Sequence, residues 1–459
     1  MDPRTRALLE APIVPTIARL ALPNVAVMVV QSAIGLIETW FVAKLGTDAL
    51  AGMALVFPLL MVIQMISAGA MGGGILSSVA RALGSNRRDD ANTLAWHAVA
   101  IAVVLGLLTS AAALAGGPKL YALMGGRDGS LSAALTYSNI VFAGAILIWL
   151  YNSLAAVIRG TGNMIVPASV TVVGAVVLIP LSPMLIFGVG PLPRLGIAGG
   201  AFAVVAFYLA GSAIFAAYLW SGRGVLRPAA RPPRLAWAPT RDILRVGAAA
   251  SVVSVSTNVS IATATGLTGV FGPAAVAGYG TGARLEYLLV PLIFGLGAPL
   301  AALTGTAIGA GQRERALKVA WTGALIASVI AEAIGLAAAF FPGAWMSLFG
   351  ADATMNDVGV HYLRVVGPFY GFFGLGLALY FASQGAGRLG WPLIAALLRV
   401  AIATGGGYIA VQAAGLTGLY LALGLALAAF GLVTAIAIAS GVWFTGRPAP
   451  VPARVPQTS

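Results

Sequence analysis

"RGTGNMIVP", residues 159–167, interrupts a long apolar run, and "QGAGRLGWP", residues 384–392, interrupts another in the same way. Gly160 and Gly385, Gly162 and Gly387, and Pro167 and Pro392 each stand 225 positions apart. Shifting the chain by 225 or 226 aligns much more. "GTDALAG" at 46–52 meets "GPAAVAG" at 272–278, and "LGSNRRDDA" at 83–91 meets "IGAGQRERA" at 308–316. Tyr137 meets Tyr362. One hinge used twice at a constant offset implies two homologous halves. The glycines supply the turn conformation and the prolines suit the start of the next helix.

The composition says what solvent those halves live in. Of 459 residues, 59% are hydrophobic and 8% are charged. A soluble domain carries about 25% charged residues. So few charges cannot cover the apolar surface, so lipid must solvate much of it. The apolar runs are long and unbroken, which suits helices and excludes the short alternating strands of an outer-membrane barrel. The chain has no cysteine, which excludes disulfides and thiolate metal sites. Two histidines, His97 and His361, cannot by themselves make a zinc centre. No clustered catalytic set stands out, so an enzyme is not expected.

Twelve stretches are each about 20 residues or longer, enough to cross a bilayer. The first six lie near 16–43, 50–78, 94–116, 132–158, 164–188 and 197–220. The second six lie near 242–270, 275–307, 317–341, 357–383, 390–413 and 416–443. Lys and Arg concentrate in alternate loops, among them Arg87, Arg88, Arg223, Arg227, Arg313, Arg315 and Arg388. This positive-inside pattern places both termini in the cytoplasm of a cell whose inner membrane holds the protein. It also accounts for the net charge of +13 without nucleic acid.

The expected fold is all-α: an integral membrane protein of twelve transmembrane helices in two six-helix bundles. An even number of spans gives both copies one orientation, so a pseudo-two-fold axis runs along the membrane normal. Residues 1–220 form the N-terminal bundle, 221–241 a Pro- and Arg-rich flexible cytoplasmic linker, 242–444 the C-terminal bundle and 445–459 a cytoplasmic tail. Two bundles that rock about one cleft suit alternating-access transport.

Ionised groups inside a span are costly and mark function. Three acids fall within the spans: Glu38, Glu286 and Glu332. Glu38 and Glu286 are the candidate proton or cation sites, because coupling needs a carboxylate that can change its charge. Gln31, seven residues before Glu38, lies close to the same helix face. Asn152, Asn258 and Arg284 are further candidate cavity groups, with Arg364 and Arg399 as candidate counter-ions. Glu332 reads as a helix-packing contact. Pro23 is a candidate kink in the first span, and Gly160, Gly162, Gly385 and Gly387 are candidate hinge positions.

The stretches "LALPNVAVMVVQSAIGLIETWFVAKLG", "VIRGTGNMIVP", "LSPMLIFGVGPLPRLGIAGGA" and "FASQGAGRLGWP" resemble the multidrug and toxic compound extrusion (MATE) family. The similarity is to its prokaryotic DinF-like or NorM-like branch and runs from about Ile17 to Trp443. The resemblance implies a V-shaped pair of bundles that exports cationic or amphipathic organic compounds in exchange for H⁺ or Na⁺. It implies no cofactor beyond that ion and no metal site. It places Glu38 at the coupling acid, with Gln31, Tyr137 and Asn152 around it. The sequence departs from the family at Leu178 and Ser182, which stand where an amide and a second acid are usual. Acids of the second-bundle sodium site are also missing, which favours H⁺. A monomer is expected, with lipid and small organic substrates as its partners. The alternative reading is a flippase of lipid-linked oligosaccharides from the same wider superfamily.

Overall fold

The computed structural model describes residues 1–188, 193–349 and 352–445. The chain is helical almost throughout. Helix α1 (Pro3–Glu10) precedes the long α2 (Ile13–Ala43). Helix α3 (Thr47–Gln64) runs through a π-helical segment, Met65–Met71, into α4 (Gly72–Gly84). Helices α5 (Arg88–Leu123), α6 (Asp128–Ala143), α7 (Ala145–Gly160), α8 (Ile165–Phe187) and α9 (Ile197–Trp220) complete the first half. The second half holds α10 (Trp237–Gly269), α11 (Pro273–Gly309), α12 (Arg313–Phe340), α13 (Pro342–Met346) and α14 (Ala353–Val366). It ends with α15 (Tyr370–Ala386), α16 (Gly390–Ala401) and α17 (Gly407–Ala439).

Ten helical runs among the described residues are long and apolar enough to cross a membrane. The pair α6 and α7, bent by 50° at Gly144, makes an eleventh. The run Gly390–Ala439 contains 50 residues, about 75 Å of helix at ~1.5 Å per residue, which is enough for two crossings. It breaks at Ala414 (φ −142°) and at Gly415 (φ 59°). Beyond the break, a side chain on Gly418 would meet the Ala410 carbonyl, so the two segments fold back on each other. Counted this way, the expected twelve passes are present, with the last boundary between residues 413 and 416 as the sequence suggests. Leu22, Val104, Leu209 and Phe340 are each more than half exposed. On a water-soluble protein that would be costly, but here the surrounding solvent is hydrocarbon.

Two expectations change in detail. The fourth span is not one straight helix: the glycine at 144 lets α7 turn away from α6. Pro23 lies inside the continuous helix α2. The linker is anchored rather than loose. The Ala229 carbonyl accepts from the indoles of Trp96 (3.0 Å) and Trp220 (3.1 Å). The Asn92 side chain accepts from the Arg227 amide at 2.8 Å, and Val225 and Leu226 are buried. The expected tail lies outside the described residues from position 446 onward.

The repeat is visible atom by atom. Gly162 and Gly387 both adopt positive φ, 78° and 70°. At another matched pair, Asn86 has φ 57° and Gly311 has φ 73°. Asparagine is one of the few side chains that tolerates this region. A side chain on Gly160 would strike the Leu76 carbonyl, and one on Gly385 the Ala301 carbonyl. Residues 76 and 301 are themselves 225 apart.

Candidate transport pathway and coupling sites

The two halves meet on the side of the basic loops. There α4 packs against α10, α11 and α15, and α2 packs against α11. Glycines make the approach possible. A side chain on Gly84 would collide with the Thr306 carbonyl, and one on Gly309 with the Arg81 carbonyl. Positions 84 and 309, and 81 and 306, are each 225 apart, so the contact is reciprocal. This is the geometry a two-fold axis produces. Gly73 abuts Gln384, whose amide donates to the Gly69 carbonyl at 3.1 Å.

One buried ion pair crosses this contact. The Arg81 guanidinium meets the Asp242 carboxylate at 2.5 Å, with side-chain exposures of 4% and 9%. Ser78 donates to the same carboxylate at 3.0 Å, and Arg81 also donates to the Gly385 carbonyl at 3.2 Å. Arg315 adds a strap by donating to the carbonyls of Leu8 (3.0 Å) and Ala11 (2.7 Å), which ties α1 to the second half. Leu8 also sits where a side chain on Gly162 would be, so α1 touches both halves.

In the first half, one carboxylate oxygen of Glu38 is buried without a hydrogen-bond partner among the described residues. Glu38 lies within electrostatic range of Tyr137 and Tyr208. Lys44 does not neutralise it; that ammonium sits 3.5 Å above the Trp40 ring. Beside it runs a neutral polar chain. Gln64 donates to the Tyr208 hydroxyl at 2.5 Å. Asn152 donates to Gln64 at 2.7 Å and to Ser67 at 2.8 Å. Ser182, at the position of the usual second acid, has a buried hydroxyl without a partner among the described residues.

In the second half, Glu286 accepts from the Tyr362 hydroxyl at 3.1 Å. Tyr362 is the repeat partner of Tyr137, so each half sets a tyrosine near an acid. Arg399 is buried and within electrostatic range of Glu286.

The sequence candidates therefore divide. The structure brings Glu38 near Tyr137 and Asn152 into the adjoining amide network. It brings Glu286 near Arg399. Gln31 is exposed on α2 and makes none of the contacts of the network around Asn152. Arg284 is exposed too, its guanidinium 5.7 Å from the Phe349 ring centroid, and it does not line the cavity around Glu286. Asn258 donates to the Ser254 carbonyl at 3.0 Å and lies 3.8 Å from the Met65 sulfur of the other half. Glu332 accepts from the Gly371 amide at 2.7 Å, a packing role. Sequence reasoning missed Gln64, Tyr208, Arg81 and Asp242. Gln64 was the most legible, as an amide within an apolar span. No three acids or histidines among the described residues gather as a metal site would require.

A family model, MatE, matches residues 23–184 and again 249–409. The chain belongs to the MATE family. The second match begins 226 positions after the first, in step with the internal repeat. A protein of Shewanella oneidensis named as an FAD transporter is 28% identical over 379 residues, covering 82% of each chain. A probable multidrug resistance protein NorM of Deinococcus radiodurans is 28% identical and covers 93% of this chain and 96% of its own. A NorM of Thermotoga maritima is 24% identical, with 83% and 82% covered. Among solved structures, a MATE protein in the bent conformation superposes with TM-score 0.88 at 24% identity, over 96% of this chain and 98% of that one. An outward-facing multidrug resistance MATE transporter gives TM-score 0.85 over 96% and 99%. These MATE likenesses make the protein an all-α, multi-pass membrane transporter of the NorM-like branch.

Proposed function

We propose that this MATE protein is a secondary active exporter of cationic or amphipathic organic compounds, driven by H⁺ through Glu38. The observation that carries the reading is the buried, unpartnered carboxylate oxygen of Glu38. A carboxylate buried within a span can carry a coupling proton by changing its charge. Among the described residues its neighbours are phenols and amides, and a lone carboxylate can bind a proton without the full oxygen cage that Na⁺ needs. The names of the NorM relatives support organic drugs as cargo.

The geometry supports the following cycle. The contacts between the halves close the basic-loop side, which the positive-inside pattern puts in the cytoplasm. The cleft then opens outward, where protonation of Glu38 favours release of a cationic substrate. Proton and substrate shift the equilibrium only through their unequal affinities for the two states.

The test is efflux of tetraphenylphosphonium from proteoliposomes under an imposed proton or sodium gradient. Proton-driven efflux supports the reading, and efflux driven by sodium alone would overturn the choice of ion. FAD in the same assay tests the cargo suggested by the Shewanella relative's name. Movement of a lipid-linked oligosaccharide without any drug efflux would favour the flippase alternative.

A further inference from the structure

The second half holds a small, partly open cavity that the Glu38 cycle does not use. Ser260, Tyr279, Glu286, Tyr362 and Arg399 line it, with aliphatic walls from α17. Its volume is about 20 Å³, room for roughly one water-sized guest and no organic substrate. Arg399 is 7% exposed and donates no hydrogen bond to any described residue. Its guanidinium is held instead over aromatic faces, 5.2 Å from the Phe373 centroid and 5.8 Å from that of Phe430. Nor does Glu286 satisfy it. The close ion pairs among the described residues are Arg81–Asp242, Arg87–Asp90 and Lys318–Glu314.

A guanidinium carries five donors and no acceptor. Buried and facing a void, it presents those donors to whatever enters. Such a group suits an anion. The Glu286 carboxylate opposes that anion while ionised. Once protonated, it withdraws its charge and frees the Tyr362 hydroxyl to donate elsewhere. We propose that this cavity is a proton-gated site for a compact, halide-sized anion, seated on Arg399 and the Tyr362 hydroxyl when Glu286 is neutral. The proposal is independent of the role assigned to Glu38.

Other groups around the cavity do not set this balance. Tyr279 on α11, Tyr362 on α14, Tyr370 on α15 and Tyr420 on α17 are phenols, neutral at physiological pH. Helix α10 offers Ser260. Arg284 and Arg364 are exposed away from the lining. His361, beside Tyr362 on α14, points elsewhere, its ring 5.5 Å from that of Tyr420 and its nitrogen 3.1 Å from the Thr417 hydroxyl.

The test compares sodium chloride with sodium gluconate at constant ionic strength, on the purified full chain, at mildly acid and mildly alkaline pH. Thermal unfolding and chloride NMR line broadening are the two readouts. A ligand that binds only the folded state raises Tm. Wild type is expected to show a chloride-specific Tm rise of several degrees and line broadening at acid pH, both fading at alkaline pH. Glu286→Gln keeps both at either pH, and Arg399→Gln loses both. If Arg399→Gln does not fold, Glu286→Gln carries the test. No chloride-specific response in wild type at acid pH overturns the proposal. So does chloride broadening retained in Arg399→Gln. A pH dependence that survives Glu286→Gln overturns it as well.

Discussion

Glu38 is costly where it is. Membrane insertion scales charge ~2.5–3.5 kcal/mol for an acidic or basic group at mid-span, and no cation among the described residues forms an ion pair with Glu38. Glu38→Gln keeps the shape and removes the exchangeable proton. It should reduce proton-driven efflux to the passive leak while the protein still folds, measured in proteoliposomes beside wild type. Asn152 has a different part. Its two interhelical hydrogen bonds hold the amide network, and such bonds contribute ~1–2 kcal/mol in lipid. Asn152→Leu should lower unfolding stability by about 1–2 kcal/mol, read from denaturation in detergent, with proton dependence retained. Ionisable residues in spans were legible from sequence because charge in an apolar run stands out. Gln64 and Tyr208 were harder to single out, because neutral polar groups are common in membrane helices and only the fold shows which of them meet.

At the scale of elements, closure rests on α4 and α11. Three consecutive glycines, Gly72, Gly73 and Gly74, are buried in α4. They let its backbone lie against the second half. Gly84→Val and Gly309→Val should each force the same two helices apart, since their contacts are reciprocal. Both variants should open the basic-loop side, measured as faster labelling of a single cysteine at Ser78. Arg81→Ala leaves Asp242 buried without its cation, and breaking such a pair costs ~3–5 kcal/mol. It should shift the same labelling in the same direction, by at least tenfold. The hinge turns were legible in the glycines at 162 and 387 because positive φ selects glycine. The equivalence of Asn86 and Gly311 was in the alignment but became meaningful only with their φ angles. The Arg81–Asp242 pair has no local signature; it joins helix ends 161 residues apart.

For the whole molecule, the internal offset made the architecture readable before any coordinates. Two copies of one unit with an even number of passes imply an axis along the membrane normal. The contacts at Gly84 and Gly309 obey that symmetry. The sequence left open how firmly the halves are joined. The anchored linker and the α1 strap support our proposal that the halves rock about a contact on one side, not by loose tethering. Bundle limits near 220 and 242 remain our proposal for the two moving bodies.

The chain has no cysteine, so a designed pair stands alone. The Cβ of Ala80 on α4 lies 3.0 Å from the place a Cβ on Gly305 of α11 would take, about half an ångström inside the roughly 3.5–4.5 Å a disulfide spans, so a small separation of the two helices seats the bond. The most direct measurement is drug efflux by the Ala80→Cys, Gly305→Cys double variant in proteoliposomes, oxidised and then reduced. Covalent closure of the basic-loop side should stop efflux, and reduction should restore it, with each single cysteine variant indifferent to oxidant. Efflux that continues unchanged in the fully crosslinked protein would contradict transport by two bodies moving against each other.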